Sequence, residues 1–564
     1  MIFSSSILRA SALKGRGFSR AAKSPKWNAA LAAEGMQMVD GNVPQGLKPG
    51  LDFAAFAARL KSCPFKAQEF KLPLGLLASL RIVSILAACL AIAAPAALNA
   101  QQSKPWEQIP IPKLHDFNPH QPTRIQLKNG IVIFLQEDHE LPFVNGSILI
   151  PGGSRDEDAG KIGLVSIYGQ AWRTSGTAKL NGDALDDLLE SKAAHIETAG
   201  DADSTAVSWD SLKGDSDQVF ALALDLFLHP KFSAEKLELA KLQLATGIVR
   251  RNDDEGEIAG REAAKLVYGA ASPYARQAEL ATVGAVTLDD LNVWHDRTIG
   301  GQLIVAIGGD FDPAAMEAKL RAAFESLPAV KPTPTRKETF PGPKPGISFI
   351  DKEDVNQSNI EIVGIGIDRH NPDVPAIAVM NEILGGGFAS RLFQKVRTEL
   401  GLAYAVGGGL NFAYDHPGTF RVMALTKSVS TVEAAKAAEA EIAGLTTRPF
   451  TEEELARAKD NILNSFLFRY DTREKVLGER VRLEFYGYPA NYLETYKAAL
   501  EKVTVADLNA AAKKYIHPDK LAVLVVGNGP EIKPGLDTLN LGPVQNVDIT
   551  IPMPKPPAGG EAKQ

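Results

Sequence analysis

An arginine and a tyrosine, Arg397 and Tyr404, stand seven positions apart in the stretch Ser390–Tyr404, SRLFQKVRTELGLAY. An Arg side chain offers planar, paired N–H donors, and a Tyr offers one O–H donor. Two such groups on one surface can hold a peptide carbonyl and the oxyanion that forms when it is attacked. The local sequence would position them. Ser390 suits a helix N-cap. Leu392, Val396 and Leu400 at i, i+4, i+8 give one apolar helix face. Gly401 suits the left-handed residue that ends a helix, and Leu402 to Val406 reads as the start of a strand. Upstream, Gly385-Gly386-Gly387 makes a flexible loop. Arg397 thus falls on the last helical turn and Tyr404 on the following strand. By spacing alone, a solvated helix Arg and a half-buried strand Tyr would read the same way.

The elements around this stretch belong to a chain of 564 residues, long enough for several domains. A net charge of −6, with 23% charged and 45% hydrophobic residues, gives no electrostatic argument for nucleic acid or an anionic membrane. Both cysteines, Cys63 and Cys89, precede residue 101. The rest of the chain therefore has no disulfide, cysteine nucleophile or thiolate metal site.

The N-terminal hundred residues read as an extension ending in a signal peptide at about 75–100. Ile82 to Ala94 is an uncharged apolar run after Arg81, and small residues follow to Gln101. The run is short for a membrane span, which needs about 20 residues. A retained anchor is the alternative, and Leu86-Ala87-Ala88-Cys89 also resembles a lipoprotein box. Met36 or Met38 would be more natural starts than Met1. The expectation is an exported chain, periplasmic or extracellular, that touches a membrane only through an uncleaved anchor.

Self-comparison divides the remainder in two. Pro230-Lys231-Phe232-Ser233 returns as Pro449-Phe450-Thr451, and Val286-Thr287-Leu288-Asp289-Asp290-Leu291 returns as Val503-Thr504-Val505-Ala506-Asp507-Leu508. Leu303 to Gly308 returns as Leu521 to Gly527. The offsets are 218, 217 and 219 residues, which argues for a duplicated domain. Each half opens with strands, fills with helices and closes on an apolar strand, so the fold class is α+β with helices packed on a mainly antiparallel sheet. The boundaries read as a leader at 101–121, a first domain at 122–327, a Pro-rich stiff linker at 328–346, a second domain at 347–530 and a disordered tail at 531–564.

The set Asn381-Glu382-Ile383-Leu384-Gly385-Gly386-Gly387, Ser390-Arg391-Leu392, Arg397, Tyr404, Thr451-Glu452-Glu453-Glu454-Leu455 and Tyr486-Gly487-Tyr488-Pro489 resembles the second-domain signature of the M16 metallopeptidases, the insulinase and mitochondrial-processing-peptidase-like family. The resemblance covers about residues 122–530 and implies two homologous domains of that family's type. It implies that Arg397 and Tyr404 bind substrate and stabilise the tetrahedral intermediate. It also implies that Gly385, Gly386, Gly387, Ser390 and Arg391 form a shortened substrate-binding loop.

Active members of that family carry His-x-x-Glu-His on a first-domain helix, with a distant Glu as third zinc ligand. The matching positions here are Ser166, Gly169, Gln170 and Gly247. Zinc takes imidazole, thiolate or carboxylate. Ser and Gln offer neutral oxygens and the two glycines offer nothing, so a free-standing zinc peptidase lacks its ligands. None of the nine histidines pairs with another at i, i+4. His195-Ile196-Glu197 has the period of a strand and reads as structural. The resemblance therefore points to a non-catalytic subunit that binds no metal itself. It would pair with a zinc-bearing M16 subunit and act on oligopeptides or unfolded segments. The alternative is an inert scaffold or binding protein with the same shell.

Overall fold

The computed structural model describes residues 118–299, 301–330 and 339–554. The signal region, both cysteines, most of the leader and the middle of the linker lie outside them.

The first half builds one six-stranded sheet from β1 (Thr123–Gln126), β2 (Val132–Glu137), β3 (Phe143–Pro151), β4 (His195–Gly200), β5 (Ser204–Leu212) and β6 (Ile304–Gly309). Its main helices are α1 (Leu164–Ser175), α2 (Gly182–Ser191), α3 (Ser216–Leu228), α4 (Ala234–Arg250), α5 (Glu255–Tyr268), α6 (Leu288–Ile299) and α7 (Pro313–Phe324). The second half has β7 (Gly346–Asp351), β8 (Gln357–Ile365), β9 (Ala403–Leu410), β10 (Thr419–Lys427), β11 (Ala522–Gly527) and β12 (Val544–Asn546). Its helices are α8 (Val374–Gly385), α9 (Thr431–Thr447), α10 (Glu452–Arg469), α11 (Arg473–Phe485), α12 (Tyr492–Lys502), α13 (Val505–Tyr515) and α14 (Gly529–Leu536).

The sheets run β1-β2-β6-β3-β5-β4 and β12-β7-β11-β8-β10-β9. Five strands of each occupy matching places, so the duplication read from three short landmarks holds for five of the six strands. Both sheets are antiparallel except for β2 beside β6 and β7 beside β11 and β12. The outermost strand is where they differ. In the first half it is β1, antiparallel to β2. In the second it is β12, from the far C-terminus, parallel to β7.

The two faces of β2 show how the halves are joined. Ile131, Ile133 and Leu135 point into a core shared with α1, α3, α4, α6 and α7 of the same half. Val132 and Phe134 point the other way, where with Ile304 and Ala306 of β6 they pack on Leu477 and Val481 of α11. The second half repeats this in reverse. Val523 and Val525 of β11 face their own helices, while Ala522, Leu524 and Val526 pack on Ile258, Ala259, Ala263 and Val267 of α5. Each half thus lends one helix to roof the other's sheet. A strand buried on both faces needs an unbroken apolar run rather than alternation, and VIFLQ and AVLVV supply it.

The expected disordered tail is a correction over residues 531–554. Part of α14 lies there, and β12 extends the second sheet, where Val547 N donates to the Phe349 carbonyl at 2.8 Å. Val547 and Ile549 then pack against the α5 cluster, and Ile551 against the first-half core. Asn252 Nδ2 donates to the Ile549 carbonyl at 2.8 Å. Alternating apolar residues, which find partners on both halves, outweigh the polar and Pro-rich composition.

A polar cluster also crosses between the halves. Arg155, between β3 and α1, reaches Asp203 at 2.8 Å in its own half and Asp415 at 2.7 Å in the other. Tyr486 O–H donates to Asp203, and His416 stacks on Tyr274 with centroids 3.8 Å apart. Burial pushes the Asp415 carboxyl up, but hydrogen bonds from His416 and Arg155 outweigh it and hold the group down at about 2. Burial raises Asp203 against the opposing pull of Tyr486 and Arg155.

Ile258→Ala and Leu477→Ala should each destabilise the fold by about 2–5 kcal/mol, as fully packed aliphatic side chains do when truncated. A guanidinium titration reads this directly, and an unchanged midpoint would show that the exchanged helices do not support the sheets. A carboxyl held below its ordinary value contributes stability above that value and loses it as the pH falls through the lowered one. Asp415→Asn should therefore be less stable than the parent at pH 7, with the deficit fading as the pH falls from 3.8 towards 2. A deficit equal at every pH would leave Asp415 with a packing role only.

Candidate functional site

The first-half positions sit on α1 and α4, which pack together: Leu244 of α4 lies against Gly163 at the start of α1. Gly163 has φ +106, a left-handed entry that favours glycine. The buried Glu157 carboxylate caps this helix, accepting from Val165 N at 2.7 Å and Gly163 N at 3.1 Å. Burial raises the Glu157 carboxyl against those two bonds. The inner face of α1 buries Leu164, Val165, Ile167, Tyr168, Ala171 and Trp172. Ser166 and Gln170 are exposed, one helical turn apart as a ligand pair would be. Gly247 of α4 is exposed, and a Cβ there would meet nothing within 4 Å.

Gly169 is different. It is buried, and a Cβ would stand 3.1–3.3 Å from the backbone of Ala199 and Gly200 on β4. Thr198 holds helix and strand together: its hydroxyl donates to the Gly169 carbonyl and accepts from Arg173 N at 3.1 Å. So the position matching the general base has no carboxylate and lies directly against a strand. This donor set does not fit zinc. Among the described residues no group of three or more His, Cys, Asp or Glu side chains is arranged to hold a metal. His195 and Glu197 lie on β4, and His195 Nδ1 pairs with Asp210 across the ladder at 3.0 Å. His295 is buried behind α1, with Nδ1 2.9 Å from the Tyr168 hydroxyl, and burial depresses it to about 4.

The second-half residues come together. Ser390 is buried and its hydroxyl accepts from Phe393 N at 3.4 Å, as an N-cap should. The turn it starts is π-helical over Phe393–Glu399, where an α-helix is expected from the sequence. Leu400 N donates to the Lys395 carbonyl, five residues back, at 3.1 Å. A π turn advances each residue by a smaller angle than an α turn. Leu392 and Val396 therefore stay buried while Leu400, expected on the same face, is 44% exposed. Such turns are frequent at functional sites. Gly401 ends it at φ +63.

Tyr404 follows on β9 at a bulge. The pairing passes from Ala403↔Thr426 to Ala405↔Leu425, leaving Tyr404 as the extra residue. A bulge re-aims its side chain, and Tyr404 is 75% exposed. The Arg397 guanidinium carbon lies 4.7 Å from the centroid of Phe393 and 5.6 Å from that of Tyr404. No ion pair engages Arg397 among the described residues. Ring faces hold the cation and leave its N–H donors for another acceptor.

The glycine loop seats this surface on the sheet. Asn381 of α8 brackets Leu410 of β9, donating to its carbonyl at 2.9 Å and accepting from its N at 2.8 Å. Gly385, expected in a flexible loop, is the last residue of α8, and a Cβ there would stand 2.6 Å from the Gly408 backbone, so helix end and strand meet backbone to backbone. Gly386 lies against Glu382, and Gly387 is nearly open. Arg391, expected in the substrate-binding loop, is engaged internally. It makes a two-pronged pair with Glu454 at 2.7 and 2.8 Å and stacks on Phe450. Glu454 closes the capping box of α10, so Arg391 ties the loop to that helix. Phe388 and Phe393 were not picked out by their types. The signals were there: Phe393 stands four residues before Arg397, and Phe388 follows the glycines.

The profile of the insulinase peptidase family M16 matches residues 132–257, and that of the peptidase M16 inactive domain matches residues 285–462. The chain belongs to the M16 family. Its M16 relatives include the non-peptidase homolog YmxG of Helicobacter pylori, 24% identical over 405 residues, 71% of this chain and 92% of that one. The uncharacterized zinc protease YmxG of Bacillus subtilis is 20% identical over 409 residues, 72% and 98% of the two chains. Among solved structures, the peptidase M16 inactive domain from Pseudomonas fluorescens superposes with a TM-score of 0.64 at 24% identity, over 72% of this chain and 98% of that one. A protease from Helicobacter pylori gives 0.63 at 18% identity, over 72% and 100%. This is an M16 protein of the inactive type, with two M16 domains.

Gly169→Glu should destabilise the fold by about 1–3 kcal/mol, because side-chain atoms would press on the β4 backbone. Ser166→His, Gln170→His and Gly247→Glu, at open positions, should each stay within about 0.5 kcal/mol of the parent. Thermal melts of the four single variants check this, and a Gly169→Glu melt equal to the other three would refute the close approach.

Proposed function

We propose that this chain is the non-catalytic, substrate-binding subunit of a heterodimeric zinc peptidase. One observation carries the reading. The zinc-site positions hold no ligand, while Arg397 and Tyr404 are assembled on a bulge and a π turn with their donors exposed. In this reading the partner, a second M16 chain, holds the zinc. Arg397 donates to a carbonyl of the bound peptide. Tyr404 O–H is aimed at the oxyanion that develops when the partner's site attacks the peptide bond. The substrates are oligopeptides or unfolded segments, and the complex works outside the cytoplasm, as the apolar run at Ile82–Ala94 suggests. No helix among the described residues is long and apolar enough to cross a membrane. The name of the Helicobacter pylori relative, a non-peptidase homolog, favours a second reading in which the shell binds and nothing is cleaved.

Recovery of the tagged chain from its own cells separates the two. The subunit reading expects an M16 relative carrying His-x-x-Glu-His at near-equal amount. In that complex Tyr404→Phe should lower peptide turnover about 10²-fold, the cost of one lost oxyanion donor, without dissociating the pair. Unchanged turnover would remove the role given to Tyr404, and recovery of the chain alone would favour the binding protein.

A further inference from the structure

From Val544 to Ile551 the chain touches three packed clusters in succession. Val544 lies against the second-half core, Val547 and Ile549 against the α5 cluster, and Ile551 against the first-half core. Between them Gln545, Asn546, Asp548 and Thr550 are exposed. The hold is shallow. β12 stands at the edge of its sheet and pairs only with β7, through Val544, Gln545 and Asn546, and nothing from Val544 to Ile551 is fully buried. β11, inside the same sheet, is buried at every position.

One polar link ties this segment to α5. The Ile549 carbonyl accepts from Asn252 Nδ2 at 2.8 Å, and Asn252 Oδ1 accepts from Arg261 Nη2 of α5 at 2.8 Å. Arg261 Nη1 also donates to the Arg251 carbonyl at 2.7 Å. Arg251 and Asn252 stand in the turn through which the chain leaves α4, in the first-half core, for α5, on the second-half sheet. The segment therefore closes over the crossover itself. The duplicated fold does not dictate this. In the first sheet the sixth place is taken by β1, antiparallel to its neighbour. What β1 and β12 share is the exchanged helix beside them, since Arg124 of β1 makes a two-pronged pair with Glu484 of α11 at 2.9 and 2.7 Å. Each exchanged helix is held at a sheet edge by the one strand in which the halves differ.

We infer that residues 544–551 are a detachable latch. Docked, they hold α5 and its turn on the second sheet. Released, they let that helix open while both cores stay folded, because each core is closed by its own strands and helices and meets the segment only at its margin. Local opening of this kind falls on elements with few buried contacts.

Hydrogen exchange read by mass spectrometry tests this on the full chain, with a specific protease site placed in the exposed loop at Gly542-Pro543 and cut after folding. Once the freed segment is washed away, amides of α5 and of residues 251–254 should exchange at least about tenfold faster, as local opening without the cover requires. Those of α1 and α8 should be unchanged. A synthetic peptide of residues 543–554 should restore protection, and the same peptide carrying V547D and I549D should not. In the uncut chain, Ile549→Asp should also speed exchange in α5. Exchange in α5 equal to the parent's, in the cut protein or the uncut variant, would overturn the inference, as would a native-sequence peptide that restores nothing. A segment that cannot be washed off, or protection lost in α1 and α8 as well, would make it an integral strand rather than a latch.

Discussion

Everything else in this structure depends on one constraint: neither sheet can cover both of its faces with its own helices. Val132 and Phe134 have no shelter in the first half, and Ala522, Leu524 and Val526 have none in the second. The exchange of α5 and α11 resolves both deficits at once. It also fixes the halves against each other, because a helix packed on a sheet through aliphatic contacts cannot slide without opening apolar surface. The Arg155 cluster and the C-terminal run from β12 to Ile551 then have fixed partners on both sides. The surface around Arg397 and Tyr404 is built on the second of these joined halves.

Much of this was legible in the residues. Three recurring landmarks gave the duplication, and the apolar run from Gly130 to Leu135 lies in the first half's opening strands. The exchange itself was not legible. The period of Ile258, Ala259, Ala263 and Val267 says that α5 has an apolar face, but a period cannot name the sheet that receives it. The π turn escaped for a related reason: Leu392, Val396 and Leu400 fit an α-helix, and the extra residue per turn leaves no mark in composition. In the tail, the alternation of Val547, Ile549 and Ile551 was visible, yet the neighbouring prolines and charges obscured it. At the site, the resemblance singled out Arg397 and Tyr404, and the two side chains lie next to each other. The resemblance missed that Arg391 would be engaged by Glu454, which lies 63 residues away in sequence.

The two halves have diverged in opposite directions on one scaffold. In the first, helix α1 sits tight on β4 at Gly169, and the only exposed polar groups at the inherited positions are neutral. In the second, the equivalent region is spread apart by a π turn and a bulge, each of which adds a residue where a regular element would have none. Those additions turn Arg397 and Tyr404 outward. Irregular backbone is retained where the surrounding structure holds it in place, and here Asn381, Ser390 and Arg391 do so.

The borrowed roof also imposes an order in time. A ribosome finishes β6 at Gly309 about 160 residues before it begins α11 at Arg473. At about 5–20 residues per second this is roughly ten to thirty seconds. Throughout that interval the nascent first half carries Val132, Phe134, Ile304 and Ala306 on a bare sheet face. The finished protein hides this surface completely, but every newly made copy must pass through a stage that displays it. That stage is where chaperones, or aggregation with a neighbouring chain, would first meet this protein.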